Sequence, residues 1–214
     1  MDSGKIDSFC SKIENMAKSI STQEIGLSND VATASMPILL VIYKGALELF
    51  SKDEECNAIL ERLYDAAQEN DMQSVFSATT EEDLKTLGLF AEQYRDRGEL
   101  KEAAQLFQFL TLLCPGGAPH PYSYINLAET LATINLDAGL QMFDFITNIF
   151  PDNPALLISA ARYYYEGERP KRALRSLTHA KEICEHNLKA NPDLQEFIDA
   201  ANTEIARIQK SLKD

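Results

Sequence analysis

The hydrophobic positions of this chain follow the period of an α-helix, about 3.6 residues, and nowhere show the two-residue alternation of a β-strand. Three apolar stripes precede residue 78. The first is Ile6, Phe9, Cys10, Ile13, Met16, Ala17 and Ile20. The second is Leu39, Ile42, Tyr43, Ala46, Leu49 and Phe50, and the third is Cys56, Ile59, Leu60, Leu63, Tyr64 and Ala67. The stripes predict three helices joined by connections at 21–35 and 68–77, with Pro37 in the first turn of the second helix.

A pattern of paired helices begins after Thr79, which has with Glu82 the spacing of an N-terminal capping box. Three units follow. The first runs from residue 84 to about 117, the second starts at about Pro121, and the third starts near Pro154. Each unit is predicted to contain two helices joined by a turn.

Small side chains recur at the same place in the three units. Ala103, Gly139 and Ala173 are separated by 36 and 34 residues, and Pro115 and Pro151 are also 36 residues apart. Repeats of about 34 residues with two helices each are typical of tetratricopeptide-repeat proteins. A small residue lets the two helices of a pair approach closely. The spacing of the small residues and that of the prolines therefore predict three such helix pairs.

The last predicted helix follows Asn191-Pro192. Its apolar stripe is Leu194, Phe197, Ile198, Ala201, Ile205, Ile208 and Leu212, and its other faces have mixed charge. Repeat arrays end in a unit with a polar outer face. The predicted fold is therefore an all-α tetratricopeptide-repeat solenoid with three helix pairs, a capping helix and an N-terminal helical extension. The predicted domains are the extension, residues 1–78, and the repeat domain, residues 79–214.

The charge of the chain narrows the classes of partner. The 214 residues carry a net charge of −13, which argues against binding to nucleic-acid phosphates. Residues 1–83 hold 16 acidic and 6 basic side chains, a net charge of −10, whereas residues 84–214 hold 17 and 14, a net charge of −3. This asymmetry indicates either two parts with different roles or an ordinary acidic surface.

The sequence also indicates where the protein works. Its longest apolar run, Met36 to Tyr43, is shorter than the roughly 20 residues of a membrane span. The N-terminal residues lack the pattern of an export signal. Four scattered cysteines without ligand spacing favour a reducing compartment over a disulfide framework or zinc site. We expect a cytoplasmic protein without membrane insertion.

Candidate catalytic chemistry is lacking in the sequence. It contains no nucleophile elbow, phosphate-binding loop, zinc-protease or dinucleotide motif, so we expect no enzyme, no cofactor and no metal. The one basic cluster is Arg162, Arg169, Lys171, Arg172, Arg175 and Lys181. Such a cluster is either a solvated face or a surface for an acidic partner segment.

From Leu84 onward the chain resembles the class II type III secretion chaperones, the SycD/LcrH-like family that escorts translocators. The resemblance rests on QYRDRGELKEAAQLFQFL at 93–110, YYEGERPKRAL at 164–174 and AKEICE at 180–185, followed by Asn191-Pro192 and the capping helix. It implies a bacterial, virulence-associated chaperone that binds an extended segment of a secreted translocator or effector-type client in a concave groove and keeps the client soluble. The long N-terminal segment is similar to that of chlamydial members.

The resemblance also implies which residues line the groove. In one alignment of the first repeat, anchored on Ala103, the groove positions are Gly88, Glu92 and Arg95; a one-residue gap would place Leu87, Ala91 and Tyr94 there instead. The candidate groove residues over all repeats are Leu87, Tyr94, Tyr122, Ile125, Ile158, Arg162 and Tyr165. For each tyrosine, packing between helices is the competing interpretation.

Two further hypotheses stay open at this stage. The chain could be a general tetratricopeptide scaffold in a regulatory or assembly complex, although Gly88 and Glu92 do not fit the subtype that grips a terminal carboxylate. The N-terminal helices either form a homodimer, pack on the first repeat or contact the client. A variant without residues 1–78 is expected to keep folded repeats but to change in oligomeric state or client affinity.

Overall fold

The computed structural model describes residues 1–21, 29–69, 71–113 and 119–212, with side chains outside 17–37. All regular structure in these ranges is helical, which confirms the predicted all-α fold. The helices before residue 79 are α1 (Ser3–Ser21), α2 (Asn29–Phe50), α3 (Glu54–Ala66) and α4 (Met72–Ala78). The repeat helices are α5 (Glu81–Asp96), α6 (Leu100–Leu110), α7 (Pro121–Ile134), α8 (Leu136–Ile149), α9 (Pro154–Glu166), α10 (Pro170–Asn187) and α11 (Leu194–Ser211).

The chain contains two compact units, Met1–Ser123 and Tyr124–Asp214, which we call unit 1 and unit 2. The division falls within the first turn of α7, whereas the sequence suggested a division after residue 78. The physical reason is that α2 packs along α6 and α3 contacts α5. The N-terminal helices therefore share one core with the first helix pair.

Aromatic side chains form the centre of the unit 1 core. Phe109 of α6 lies with its ring centroid 6.2 Å from that of Tyr43 and 6.0 Å from that of Phe50, both on α2. The ring centroid of Phe50 also lies 5.5 Å from that of Phe90 on α5. Tyr43, Phe50 and Phe109 are almost completely buried, so α2 covers a surface that the first helix pair would otherwise expose.

Ion pairs join α1 to α3 and α3 to α5. Lys5 of α1 pairs with Glu61 of α3 at 2.6 Å, and Arg62 of α3 pairs with Asp83 of α5. Burial alone would raise the pKa of Asp83, but Arg62 and the Thr80 amide hold that pKa below its usual value. Asp83 thus binds α3 to the start of α5 through its carboxylate.

Three local predictions need correction. The capping box of α5 joins Thr80 and Asp83 through reciprocal bonds of 2.8 and 3.1 Å, one residue later than predicted, because Thr79 instead bonds back to Val75 of α4. Residues 72–77, predicted to belong to a connection, lie in α4 because Asp71 caps the first turn of that helix. The second helix begins at Asn29, so Pro37 lies inside it. Residues 29–36 include only two larger apolar side chains, Val31 and Met36, which are too few to mark a stripe. The remaining connection, residues 22–28, lies outside the described residues, as does Pro115.

In unit 2, α7 and α8 approach each other closely at Gly139. A Cβ atom on Gly139 would lie 2.3 Å from Cβ of Ala132, so only hydrogen fits at that position. Ala173 is fully buried where α9 and α10 pack together. Two of the small positions read from the sequence thus lie at tight helix contacts. Among the described helices, none combines the length and apolar character that crossing a bilayer requires.

Candidate functional site

Of the two candidate residues in the first helix pair, Leu87 lies in the interior and Tyr94 is partly exposed. Leu87 is fully buried, as is Ala91, so Leu87 has no surface that a peptide could contact. Tyr94 is half-buried, with its ring centroid 5.2 Å from that of Phe90 and the guanidinium of Arg97 4.4 Å above it.

Tyr122 packs against Gly88 and Glu92 of α5. Its hydroxyl donates a hydrogen bond of 2.8 Å to Glu92, and its ring occupies the space above Gly88, where an added Cβ would lie 2.7 Å from the ring. Burial and the hydrogen bond to Glu92 both raise the pKa of the Tyr122 phenol, because they disfavour its charged form. Here the tyrosine packs between helices, and its hydroxyl is already used.

In unit 2 the first helices of the pairs present a mixed face. Ile125 of α7 and Ile158 of α9 are half-buried, and both pack against the same core cluster. Beside them, the Ser159 hydroxyl donates a 2.6 Å hydrogen bond to Glu129. The two isoleucines therefore serve two purposes, because one side of each stabilises the core while the other side is accessible.

A cleft of about 330 Å³ lies between α9 and α11, and we call it the α9–α11 cleft. It is lined by Ala155, Ile158, Ser159, Arg162, Glu196, Phe197 and Ala200. Ala155 and Ala200 are exposed, and Phe197 is half-buried. Arg162 is exposed and has no ion-pair partner among the described residues. The cleft thus combines apolar side chains with an available guanidinium, which suits a peptide segment.

Tyr165 lies one turn further along α9 and is tied to the end of α11. Its hydroxyl donates a 2.7 Å hydrogen bond to Ser211, and the guanidinium of Arg207 lies 4.6 Å from its ring centroid. Tyr165 therefore positions α11 against α9 and is only half-exposed. It borders a separate cavity next to Arg207.

Sequence reasoning missed the contribution of α11 to this site. Phe197 was identified as an inward position of a capping helix, and Ala200 was not singled out. The apolar stripe was the only available signal, and it does not specify that Phe197 lies beside Ile158. In the part of the chain that the structure describes, no group of three or more histidine, cysteine or acidic side chains could hold a metal.

The fold is all-α and tetratricopeptide-like, built from helix pairs followed by an additional helix. Among solved structures, the chain is similar to PcrH from Pseudomonas aeruginosa, a class II type III secretion translocator chaperone. The TM-score is 0.50 and the sequence identity 15%, over 61% of this chain and 95% of PcrH. No protein-family profile and no curated protein sequence matches the chain. The similarity confirms, at the level of fold, the resemblance read from the sequence.

Proposed function

We propose that this protein is a cytoplasmic chaperone of type III secretion that binds an extended segment of a secreted translocator or effector-type client and has no catalytic role. The observation that carries the proposal is the α9–α11 cleft, which lies on a fold similar to that of a translocator chaperone. A client with exposed apolar helices would aggregate unless such a surface covered part of it.

The chemistry of the cleft indicates what the client segment contains. Ile158 and Phe197 favour an apolar side chain, and Arg162 favours a neighbouring carboxylate or backbone carbonyl. The proposed binding set in unit 2 is Ile125, Ile158, Arg162, Phe197 and Tyr165. Leu87 is left out because it is buried, and Tyr94 and Tyr122 stay as proposals for a contact on unit 1.

Filling the cleft is expected to abolish client binding without unfolding the protein. Ala200 is exposed, so Ala200→Arg places a long charged side chain in the cleft without disturbing the core. We expect affinity for the client to fall at least about tenfold, equivalent to ~1.4 kcal/mol. The client is first identified by co-purification from the native cytoplasm, and the affinities are then measured by fluorescence titration.

Ala206→Arg is the matched control for this experiment. Ala206 is exposed on the same helix but does not line the cleft, so the substitution adds the same charge elsewhere. Equal loss of binding in both variants, or none in Ala200→Arg, would show that the client binds elsewhere. A general scaffold protein would instead co-purify with several unrelated partners that are not secreted.

We also propose a homodimer through α2. Its side chains Ile38 and Val41 are 65% and 70% exposed, three residues apart, and exposed apolar side chains of this size mark interaction surfaces. Ile38→Glu with Val41→Glu is expected to weaken dimerisation about tenfold or more, measured as molar mass by light scattering over a concentration series. Leu89→Glu, at a 52% exposed position on α5, should leave the mass unchanged. A wild-type chain that is monomeric at every concentration would contradict the proposal.

A further inference from the structure

A second groove in unit 2 runs along α10 and uses a different face of α9 from the peptide cleft. Two adjoining cavities of about 440 and 690 Å³ share the side chains of Leu157, Lys171, Arg175 and Ser176. Tyr164 lines the smaller cavity. We call this surface the α10 groove. Its floor is partly apolar; its rim holds Lys171, Arg172 and Arg175, and Glu182 adds one carboxylate to the larger cavity.

Only some of the basic side chains on this rim form an ion pair with a carboxylate. Arg172 pairs with Asp144 of α8 at 2.7 Å, and it lies 4.4 Å above the ring of Tyr164, which donates a 2.8 Å hydrogen bond to the same carboxylate. Lys171 and Arg175, in contrast, are exposed and have no ion-pair partner among the described residues. Lys44 on α2, in contrast, is paired with Asp7 at 2.6 Å.

The two uncompensated cations repel each other. Lys171 and Arg175 are one helical turn apart, so their Cβ atoms are about 5–6 Å apart on the same face, and like charges at this spacing destabilise a helix. The first turn of α10 contains no acidic residue that would offset them. An anionic ligand that binds both would therefore remove an unfavourable interaction within the free protein.

We infer that the α10 groove binds an acidic, extended segment of a polypeptide partner in which carboxylates alternate with other residues. Residues i and i+2 of an extended chain point to the same side about 7 Å apart, which the long, flexible side chains of Lys171 and Arg175 can reach from Cβ atoms about 5–6 Å apart. The apolar part of Leu157 and the length of the two joined cavities suit a peptide better than a small inorganic anion.

The test uses the full-length chain and a short fluorescent peptide in which glutamate and serine alternate. Lys171→Gln with Arg175→Gln removes both cations and is expected to weaken peptide binding about fivefold or more, with the largest effect at low salt. Lys189→Gln with Lys210→Gln is the matched control, because it removes two exposed cations of unit 2 that lie outside the groove. Far-UV circular dichroism and thermal melting check that both variants remain folded.

Each result decides the inference. Selective loss in the groove variant supports it, particularly if Ala200→Arg in the α9–α11 cleft leaves peptide binding unchanged. Equal loss in both double variants would indicate general electrostatic attraction and would overturn it. Failure of the wild type to bind the peptide would also overturn it. So would inorganic phosphate, tested alone, binding as tightly and with the same dependence on Lys171 and Arg175.

Discussion

A chain that lacks residues 1–78 is expected to lose the folded structure of the α5/α6 pair. The deletion removes Tyr43, Leu47 and Phe50, which are almost completely buried against this part of unit 1. At about 2 kcal/mol for each large apolar side chain, the loss is comparable to the 5–15 kcal/mol total stability of a typical domain. Hydrogen exchange should show residues 81–110 unprotected. The sequence alone led to the opposite expectation, that the repeats would stay folded.

The control retains the full chain and removes one side chain of the same contact. Phe109→Ala should destabilise unit 1 by roughly 3–5 kcal/mol, because Phe109 is buried against α2. Phe145→Ala should cost far less, because Phe145 of α8 is exposed. Should the shortened chain keep protected amides throughout 81–110, the extension is a passive leader. Unit 2, residues 124–212, is the internal reference in the same exchange experiment.

Gly139→Ala is expected to destabilise unit 2 by up to about 2 kcal/mol. The new Cβ would lie 2.3 Å from Cβ and 2.4 Å from Cα of Ala132, so the backbones of α7 and α8 must move apart. Overpacking of this kind costs roughly 1–3 kcal/mol or more, whereas alanine gains about 1 kcal/mol over glycine in helix propensity. The measurement is the free energy of unfolding from urea denaturation.

Gly45→Ala is the matched control for this substitution. Gly45 is also inside a helix, but its added Cβ would lie 3.1 Å from Oε1 of Gln105, the flexible end of a long side chain. That side chain can move, so the variant should be as stable as wild type or slightly more stable. If Gly139→Ala is no less stable than Gly45→Ala, the close approach of α7 and α8 is not rigid.

The candidate site shows where prediction from the sequence stops. The repeat spacing correctly assigned Ile158, Arg162 and Tyr165 to the first helix of the third pair. It could not show that Phe197 and Ala200 complete a cleft with Ile158 and Arg162, because Phe197 and Ala200 lie more than 30 positions further on and belong to a helix identified only as a cap. In the same way, only the structure shows that Tyr122 occupies the space above Gly88.

The sequence by itself determined the all-α class, the three helix pairs and the capping helix, since helical periodicity and the spacing of small residues are properties of the local chain. Only the tertiary structure decided that α2 packs on α6, that Leu87 is buried while Glu92 contacts Tyr122, and that the chain divides after Ser123. The physical reason is that an amphipathic stripe specifies which face of a helix is buried but not which helix covers it. That choice depends on the fit of distant side chains, such as Phe50 against Phe109, and no local pattern records it.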